Sequence, residues 1–131
     1  MKLHKETLNK LLNNSIDVKQ NKYHNKKVEY DGIIFDSIKE KSYYIKYKLM
    51  EKSEEIWDLK RQVKFPLIET FKLNDKTYRT TYYIADFVFT DKDNKVHVVD
   101  VKGVKTQVYQ LKKKLMAWKY GIEIEEVWKS L

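Results

Sequence analysis

The sequence predicts an α/β domain with a mixed β-sheet flanked by helices, on three observations. Residues 82–89 and 96–102 are two nearly continuous apolar segments joined by a short polar turn, the pattern of a buried antiparallel hairpin. One segment before this hairpin and one after it repeat apolar residues every three or four positions and predict amphipathic helices. A short apolar segment follows the second helix. The order helix, meander of strands, helix, strand is typical of an α/β fold.

Length and cysteine content limit the class of protein. A chain of 131 residues is long enough for one domain and too short for two. The absence of cysteine excludes disulfides and thiolate metal sites and fits a reducing cytoplasm. No apolar run approaches the roughly 20 residues that span a membrane. We therefore expect a soluble cytoplasmic protein.

The charge balance favours a polyanionic partner. The net charge of +8 and the pI near 9.4 point to nucleic acid before a membrane surface. The alternative is that the abundance of lysine reflects only an AT-rich genome. The distribution favours nucleic acid, because six lysines and no acidic residue lie from Lys102 to Lys119.

The organisation is predicted to change near residue 28. Spaced leucines predict a short helix over residues 3–13, and a polar, basic segment then predicts an arm, so that residues 1–27 form an N-terminal helix and basic arm. The folded domain is expected to span residues 28–131. It opens with a hairpin whose turn is Asp31-Gly32, since this pair readily adopts the positive φ of a tight turn.

The first helix of this domain is predicted from a cap at Asp36 or Ser37 to about Ser53. Its aliphatic stripe consists of Ile38, Ile45 and Leu49, and the opposite side carries Glu40, Tyr44 and Tyr47. Two roles are open to Glu40. Its position three residues after Ser37 fits a capping box, which the spacing alone favours, and the alternative is a role in a functional site.

Four strands are predicted next, at Ile56–Ile68, at Phe71–Leu73 and over residues 78–89 and 96–102. Pro66 lacks a backbone N–H, so the first of these is expected at a sheet edge or strand end. A second helix follows over Gln107–Tyr120, and Gly121 ends it. Its apolar stripe consists of Val108, Leu111, Leu115 and Trp118. The last short strand is expected around Ile122, Ile124 and Val127.

Three charged residues interrupt the two apolar strands, where ionised side chains are costly unless they are paired or bound to a metal. A register that pairs Val88 with Val98 puts Asp86 directly opposite Asp100, and like charges so placed destabilise a sheet unless a cation joins them. Lys102 falls on the face of Asp100 because strand side chains alternate. Two carboxylates beside one ammonium suit Mg²⁺ and the hydrolysis of a phosphodiester.

Substrate contacts are expected from the lysines that follow this strand: Lys105, Lys112, Lys113 and Lys114. A solvated helix face is the alternative for each. Tyr109 either stacks on substrate or packs in the core. His97 has the opposite strand parity to Asp100 and is predicted to point away from the acids.

Four short segments carry a resemblance to known proteins. They are Phe35-Asp36-Ser37-Ile38-Lys39-Glu40, Tyr83-Ile84-Ala85-Asp86-Phe87, Val99-Asp100-Val101-Lys102-Gly103 and Tyr120-Gly121-Ile122-Glu123-Ile124. In their order and spacing they resemble the PD-(D/E)XK nuclease superfamily, and more closely a small phage and prophage family grouped with Holliday junction resolvases. Alanine stands where the superfamily often has proline before Asp86.

The resemblance implies a restriction-endonuclease-like core and an endonuclease in a bacterial host cell that depends on Mg²⁺, with Mn²⁺ as a substitute metal. Asp86, Asp100 and Glu40 would bind the metal. Lys102 would complete the catalytic set, and Glu40 would be catalytic rather than only a cap. The expected substrate is branched DNA, cut by a homodimer because a four-way junction needs two nicks. The alternatives are a less selective restriction-like or flap nuclease and a DNA-binding module without catalysis.

Overall fold

A computed structural model describes residues 27–128 of the chain. The chain divides into two compact units, Met1–Ile38 and Lys39–Leu131. The helix and arm predicted over residues 1–27 lie, apart from Lys27, outside the described residues. The described part of the first unit is the expected hairpin, with strands β1 (Val28–Tyr30) and β2 (Ile33–Phe35). Its turn has φ 54° at Asp31 and 72° at Gly32, which confirms the Asp-Gly turn.

The second unit is an α/β domain built on one mixed sheet. Its elements are α1 (Ile38–Lys52), β3 (Ile56–Ile68), β4 (Phe71–Leu73), β5 (Lys76–Tyr78), β6 (Thr81–Asp91), β7 (Val96–Val101), α2 (Gln107–Tyr120) and β8 (Glu125–Val127). The four-stranded sheet has the order β3-β6-β7-β8, in which only β7 and β8 run parallel. Strands β4 and β5 pair separately. The prediction of a mixed sheet with two helices is confirmed.

The two helices cover opposite faces of the sheet. On one face, Tyr109 and Met116 of α2 pack in a cluster with Val98 of β7 and, at its border, Val88 of β6. On the other face, Tyr47 of α1 contacts the rings of β6, including Phe89 at a centroid distance of 4.8 Å. Neighbouring strand residues point to opposite faces, so the contacts of β6 place one helix on each side.

Strand β6 changes face at Asp86. Tyr83 and Ala85 belong to the α2 cluster, whereas Phe87, two residues further on, lies 5.2 Å from the Tyr47 ring of α1. Residues two apart in a regular strand share a face. The alternation is therefore broken between Ala85 and Phe87, and Asp86 is the residue at the break.

The partner strand is irregular at the same level. Gln62 of β3 lies opposite Asp86, between the pairs Arg61 with Phe87 and Val63 with Ala85. It has φ 52°, in the left-handed region. A residue of this kind interrupts the regular conformation of a strand, so β3 and β6 are both irregular at the same level.

Most residues of each predicted aliphatic stripe are exposed, although Leu115 of α2 packs against the core. In α1 the buried side chains are Glu40, Tyr43, Tyr44 and Tyr47, whereas Ile38 and Leu49 are 66% and 62% exposed. In α2 the buried side chains are Tyr109 and Met116, and the exposed ones include Val108, Leu111 and Trp118. The spacing of apolar residues identifies a stripe along a helix, but it does not show which face of the helix packs against the sheet. The sheet presents aromatic residues, and tyrosine rings bury more area against them than aliphatic side chains do.

The strands differ from expectation in three places. Arg79 and Thr80 separate β5 from β6, where one strand was predicted. Burial on both faces holds for the second half of β6 but not for Tyr82 and Ile84, which are exposed. The last strand contains Val127 but neither Ile122 nor Ile124, although Ile124 is buried. The expected edge position of the strand with Pro66 is confirmed, because β3 is an outer strand of the sheet. Among residues 27–128, neither helix is long and apolar enough to cross a membrane.

Gly121 ends α2 with φ 65° and ψ 24°, and its N–H donates to the Ala117 carbonyl. A substitution Gly121→Ala should lower the free energy of unfolding by about 1 kcal/mol, because a Cβ disfavours this left-handed conformation. Urea unfolding monitored by circular dichroism measures the change. Gly103→Ala is the matched control, since an added Cβ there meets nothing within 4 Å and no positive φ is involved. Equal losses in the two variants would contradict the prediction.

Candidate functional site

The two aspartates predicted to face each other lie where β6 and β7 stop pairing. The predicted register is confirmed, with Val88 opposite Val98, and the last pair toward the acids is Phe87 with Val99. Asp86 and Asp100 are the next residues on their strands. The ladder thus opens at the position of both acids.

The side chain of Asp86 takes the place of a backbone acceptor at the end of the ladder. Its Oδ2 accepts a hydrogen bond of 2.7 Å from the backbone N–H of Val101, a donor that a regular ladder would pair with a carbonyl of β6. Its Oδ1 accepts a bond of 3.3 Å from the Gln62 amide. Burial raises the pKa of Asp86 from 3.8 to about 6, and the charge of Asp100 adds to the rise. The bonds from Val101 and Gln62 and the charge of Lys102 act in the opposite direction.

Glu40 meets Asp86 through the same amide. Its side chain is buried, and its Oε1 accepts a hydrogen bond of 3.1 Å from Gln62 Nε2, the atom that also contacts Asp86. Arg61 Nη2 lies 3.7 Å from the same oxygen. One amide nitrogen therefore connects the two carboxylates. The Glu40 carboxylate thus faces β3 and the end of the ladder.

Asp100 and Lys102 form the other half of the site, on the face covered by α2. Asp100 is buried, its Oδ2 accepts a bond of 2.7 Å from the Tyr83 hydroxyl, and its Oδ1 lies 3.1 Å from Lys102 Nζ. The prediction that Lys102 shares the face of Asp100 is confirmed. The ammonium of Lys102 also lies 3.7 Å from the ring centroid of Tyr109, an attractive cation–π position. Burial, followed by the bond to Asp100, raises the pKa of Tyr83, so its hydroxyl remains a donor.

The halves of the site are joined electrostatically. Asp100 raises the pKa of Asp86 and Lys102 lowers it, which places all three charges in one neighbourhood. Two carboxylates at short range cannot both ionise freely, and a nearby cation relieves the repulsion. The structure therefore holds these four residues in two pairs at the end of the ladder, Glu40 with Asp86 through Gln62, and Asp100 with Lys102 by direct contact.

Three of the four predicted DNA-binding lysines line one hollow beside α2. Lys105, Lys113 and Lys114 face it together with Glu126 of β8. The first two contact Glu126 Oε1 at 3.1 and 3.2 Å, so part of their charge is already balanced. Lys112 is not among the residues that line this hollow.

Glu126 is the acceptor at the centre of this group. It also accepts a bond of 2.7 Å from the hydroxyl of Tyr109. Burial alone would raise its pKa, but the bonds from Tyr109, Lys105 and Lys113 outweigh burial and lower the pKa to about 2. Tyr109, for which packing and stacking were both open, packs in the core. His97 points away from Asp86 and Asp100, as predicted. Its ring contacts Asp91 and Glu125 instead.

The acids are hard oxygen donors of the kind that Mg²⁺ binds. Within the described residues 27–128, no three acidic or histidine side chains already form a metal cluster. The four oxygens of Asp86 and Asp100 are instead engaged by Gln62, Val101, Tyr83 and Lys102. A divalent cation would fit this donor set, because burial and, to a smaller extent, the charge of Asp100 raise the pKa of Asp86, and a nearby cation would favour its ionised form.

Four contributors to the site were not predicted from the sequence: Arg61, Gln62, Tyr83 and Glu126. Tyr83 was quoted only as part of a motif, and Gln62 is one polar residue in an imperfectly alternating strand. The only signal for Glu126 was its place in the acidic segment that follows the lysines. These residues are recognisable only from their neighbours in space.

A model of the DUF1064 family, described as a protein of unknown function, matches residues 20–131. The chain belongs to the DUF1064 family. The match includes every residue of the candidate site. A search of curated proteins and a search of solved structures each found no match.

The substitution Tyr83→Phe should destabilise the protein by about 1–3 kcal/mol, because it removes a donor from the buried carboxylate of Asp100. Thermal and urea unfolding without divalent ions measure the change. Tyr82→Phe, one residue earlier and exposed, is the control and should have little effect. A Tyr83→Phe protein as stable as the Tyr82→Phe protein would show that Asp100 does not depend on this bond.

The raised pKa of Asp86 predicts a pH-dependent stability difference. Because the folded pKa of about 6 exceeds the ordinary 3.8, ionisation of Asp86 opposes folding. The loss of folding free energy caused by this ionisation is absent below pH 4, grows as the pH rises and is complete above pH 6. Asp86→Asn removes it, so the stability of the variant relative to the native protein should rise by up to about 3 kcal/mol between pH 4 and pH 7.5.

Urea unfolding in EDTA at several pH values measures this difference. Asp58→Asn, at an exposed position of β3, controls for the loss of one negative charge. A relative stability of Asp86→Asn that does not change with pH would refute the raised pKa.

Proposed function

We propose that this protein is a Mg²⁺-dependent endonuclease that hydrolyses phosphodiester bonds in branched DNA, with resolution of four-way junctions as its task. The observation that carries the proposal is the presence of two charged pairs where the β6–β7 ladder ends: Glu40 with Asp86 through Gln62, and Asp100 with Lys102. Acids that a sheet would otherwise exclude are retained there, at a cost to stability.

The surrounding fold supports this proposal. A mixed sheet with a helix on each face, an acid on the first helix and the Asp100-Val101-Lys102 segment at a strand end are the arrangement expected of a restriction-endonuclease-like core. It agrees with the resemblance of the four sequence segments to the PD-(D/E)XK superfamily. The proposal thus rests on two kinds of support: the sequence motifs and the contacts of the same residues.

Asp86, Asp100 and Glu40 would hold the metal. When bound, Mg²⁺ supplies a Lewis acid that withdraws negative charge from the phosphodiester. Gln62 holds the carboxylates of Glu40 and Asp86 near each other, and Tyr83 orients that of Asp100. Because these donors are neutral, they position the carboxylates without cancelling their negative charge, and that charge can still attract a cation.

Among the described residues, Lys102 contacts Asp100 and Arg61 contacts Glu40. From its position 3.1 Å from Asp100, the ammonium of Lys102 can donate hydrogen bonds to the attacking water and to a phosphate oxygen. In the reaction the water oxygen bonds to phosphorus, one phosphorus–oxygen bond to a sugar breaks, and the leaving oxygen takes up a proton. The ring of Tyr109 limits the directions in which the ammonium can point.

The choice of a branched substrate comes from the resolvase resemblance, and the choice of DNA also from the net charge of +8. A four-way junction has twofold symmetry, so the proposal includes a homodimer that carries two sites. Lys105, Lys112, Lys113 and Lys114 are proposed to contact its phosphates. Lys105 and Lys113 would exchange part of their contact with Glu126 for phosphate.

The substitution Asp100→Asn should reduce DNA cleavage at least about a hundredfold, because it removes one charge from the proposed metal ligands. Binding to DNA at low salt should survive, since phosphate contacts by lysine are unchanged. Labelled four-way junction, flap and duplex DNA, each with Mg²⁺ or EDTA, measure cleavage. Asp93→Asn removes the same charge from the exposed β6–β7 turn and is the matched control.

The outcomes separate the candidate functions. Preferential cutting of the junction, with paired nicks that linearise a cruciform plasmid, supports a dimeric resolvase. Equal cutting of flap or duplex DNA would favour a less selective nuclease with the same site. DNA binding without cleavage by the native protein in Mg²⁺ or Mn²⁺ would leave a binding module. Full activity of Asp100→Asn would remove Asp100 from the mechanism.

A further inference from the structure

Strands β4 and β5 form a two-stranded ribbon that projects between β3 and β6. All six strand residues are exposed, so the ribbon buries almost no side chain of its own. An isolated pair of strands is only marginally stable in water. Its base is held together by Thr70 and Thr80, whose hydroxyl oxygens lie 2.8 Å apart and each accept the backbone N–H of the other residue.

One face of the ribbon carries a stacked pair of rings beside a cation. Phe71 and Tyr78 are opposite each other, with centroids 4.8 Å apart and planes 8° from parallel. Leu73 and Lys76 form the next pair on the same face, and Lys76 Nζ lies 5.0 Å from the centroid of Tyr78. Phe71, Leu73 and Tyr78 are 47%, 57% and 38% exposed. A soluble domain rarely leaves a contiguous set of large apolar side chains in water without a partner for it.

The chemistry of this face matches a nucleotide. Aromatic rings stack on bases of any sequence, and neighbouring lysine and arginine side chains attract phosphates. From Thr70 to Thr80 the ribbon has three cations, Lys72, Lys76 and Arg79, against one anion, Asp75. A second copy of the chain would bring the same positive charge, so self-association through this face is opposed. Ring faces reach only bases that are not already stacked, which selects unpaired DNA.

An open strip of the sheet leads from the ribbon to the candidate site. Beyond the ribbon, Tyr82 and Ile84 of β6 are exposed, and Lys64 Nζ lies 5.7 Å from the ring of Tyr82. The strip ends at Asp86. From Tyr78 to Asp86 the chain spans at most about 26 Å at 3.3 Å per residue. This is the length of about eight nucleotides at 3.4 Å each.

We propose that the β4–β5 ribbon stacks Phe71 and Tyr78 on unpaired bases of the DNA substrate, up to about eight nucleotides from the phosphodiester that is cut. The proposal rests on the proposed function for the position of the cut, but ribbon binding is independent of catalysis. The ribbon thus recognises the branch or single-stranded part of the substrate, and the acids act on the backbone nearby.

The test measures DNA binding by the full chain in EDTA, where no cleavage occurs. Fluorescence anisotropy with single-stranded, four-way junction and duplex DNA compares the native protein with the double variant Phe71→Ala, Tyr78→Ala. We expect at least a tenfold loss of affinity for single-stranded and junction DNA and a change of less than threefold for duplex. Trp118→Ala, which removes an aromatic side chain that is 79% exposed on α2, should bind like the native protein.

Two further measurements separate ring stacking from damage to the ribbon. The exchanged pair Phe71→Tyr, Tyr78→Phe keeps both rings and should bind within twofold of the native protein. 2-Aminopurine placed at an unpaired base should change its fluorescence with the native protein and the exchanged pair, but not with the double alanine variant. An unchanged signal with the native protein, or native affinity of the double alanine variant, would overturn the proposal.

The other outcomes are also decisive. Ribbon variants that change the sedimentation mass or vesicle binding but not DNA binding would overturn the proposal and assign the face to a protein or a membrane. A native protein that binds unpaired DNA through the ribbon but never cuts DNA would support this inference and refute the nuclease. If the native protein cuts DNA and the ribbon variants bind and cut DNA as the native protein does, the result would support the nuclease and refute this inference.

Discussion

The hydrogen bond from the Val101 N–H to Asp86 is the contact on which the site depends. It replaces a strand-to-strand backbone bond with a side-chain bond, so β6 and β7 separate without leaving this donor unsatisfied. The end of the ladder lies next to Asp100, which is paired with Lys102. The bond from Val101 also fixes a carboxylate in a partly buried place where ionisation is unfavourable, which explains the raised pKa of Asp86.

The neighbours of the acids reduce this cost without removing the charge. Gln62 bridges Glu40 and Asp86, and Tyr83 donates to Asp100, so most of the carboxylate oxygens have a neutral donor. Lys102 supplies one positive charge for the group. Arg61, beside Glu40, supplies a second. Hard carboxylate oxygens held by neutral donors at one strand end suit a divalent cation, which is the physical reason to expect one there.

The change of face at Asp86 gives the two halves of β6 different environments. Beyond it, Phe87 and Phe89 lie under Tyr47 of α1 and form a closed core. Before it, Tyr82 and Ile84 lie open toward the ribbon. A single irregularity, shared with Gln62 on β3, thus sets the acids at the border between a rigid core and an exposed surface. Glu40 and Asp100 are buried on the core side of this border, whereas Tyr82 and Ile84 are exposed on the other side.

The sequence by itself determined the order of the elements, the register of the β6–β7 hairpin and the common face of Asp100 and Lys102. These follow from local rules: the period of two in strands, the length of a turn and the spacing of apolar residues. Tertiary structure decided which face of each helix is buried, where β6 changes face, and that Gln62, Tyr83 and Glu126 contact the acids and lysines. Such choices depend on packing between distant segments and on where buried polar groups find partners, and no local pattern in the chain encodes them.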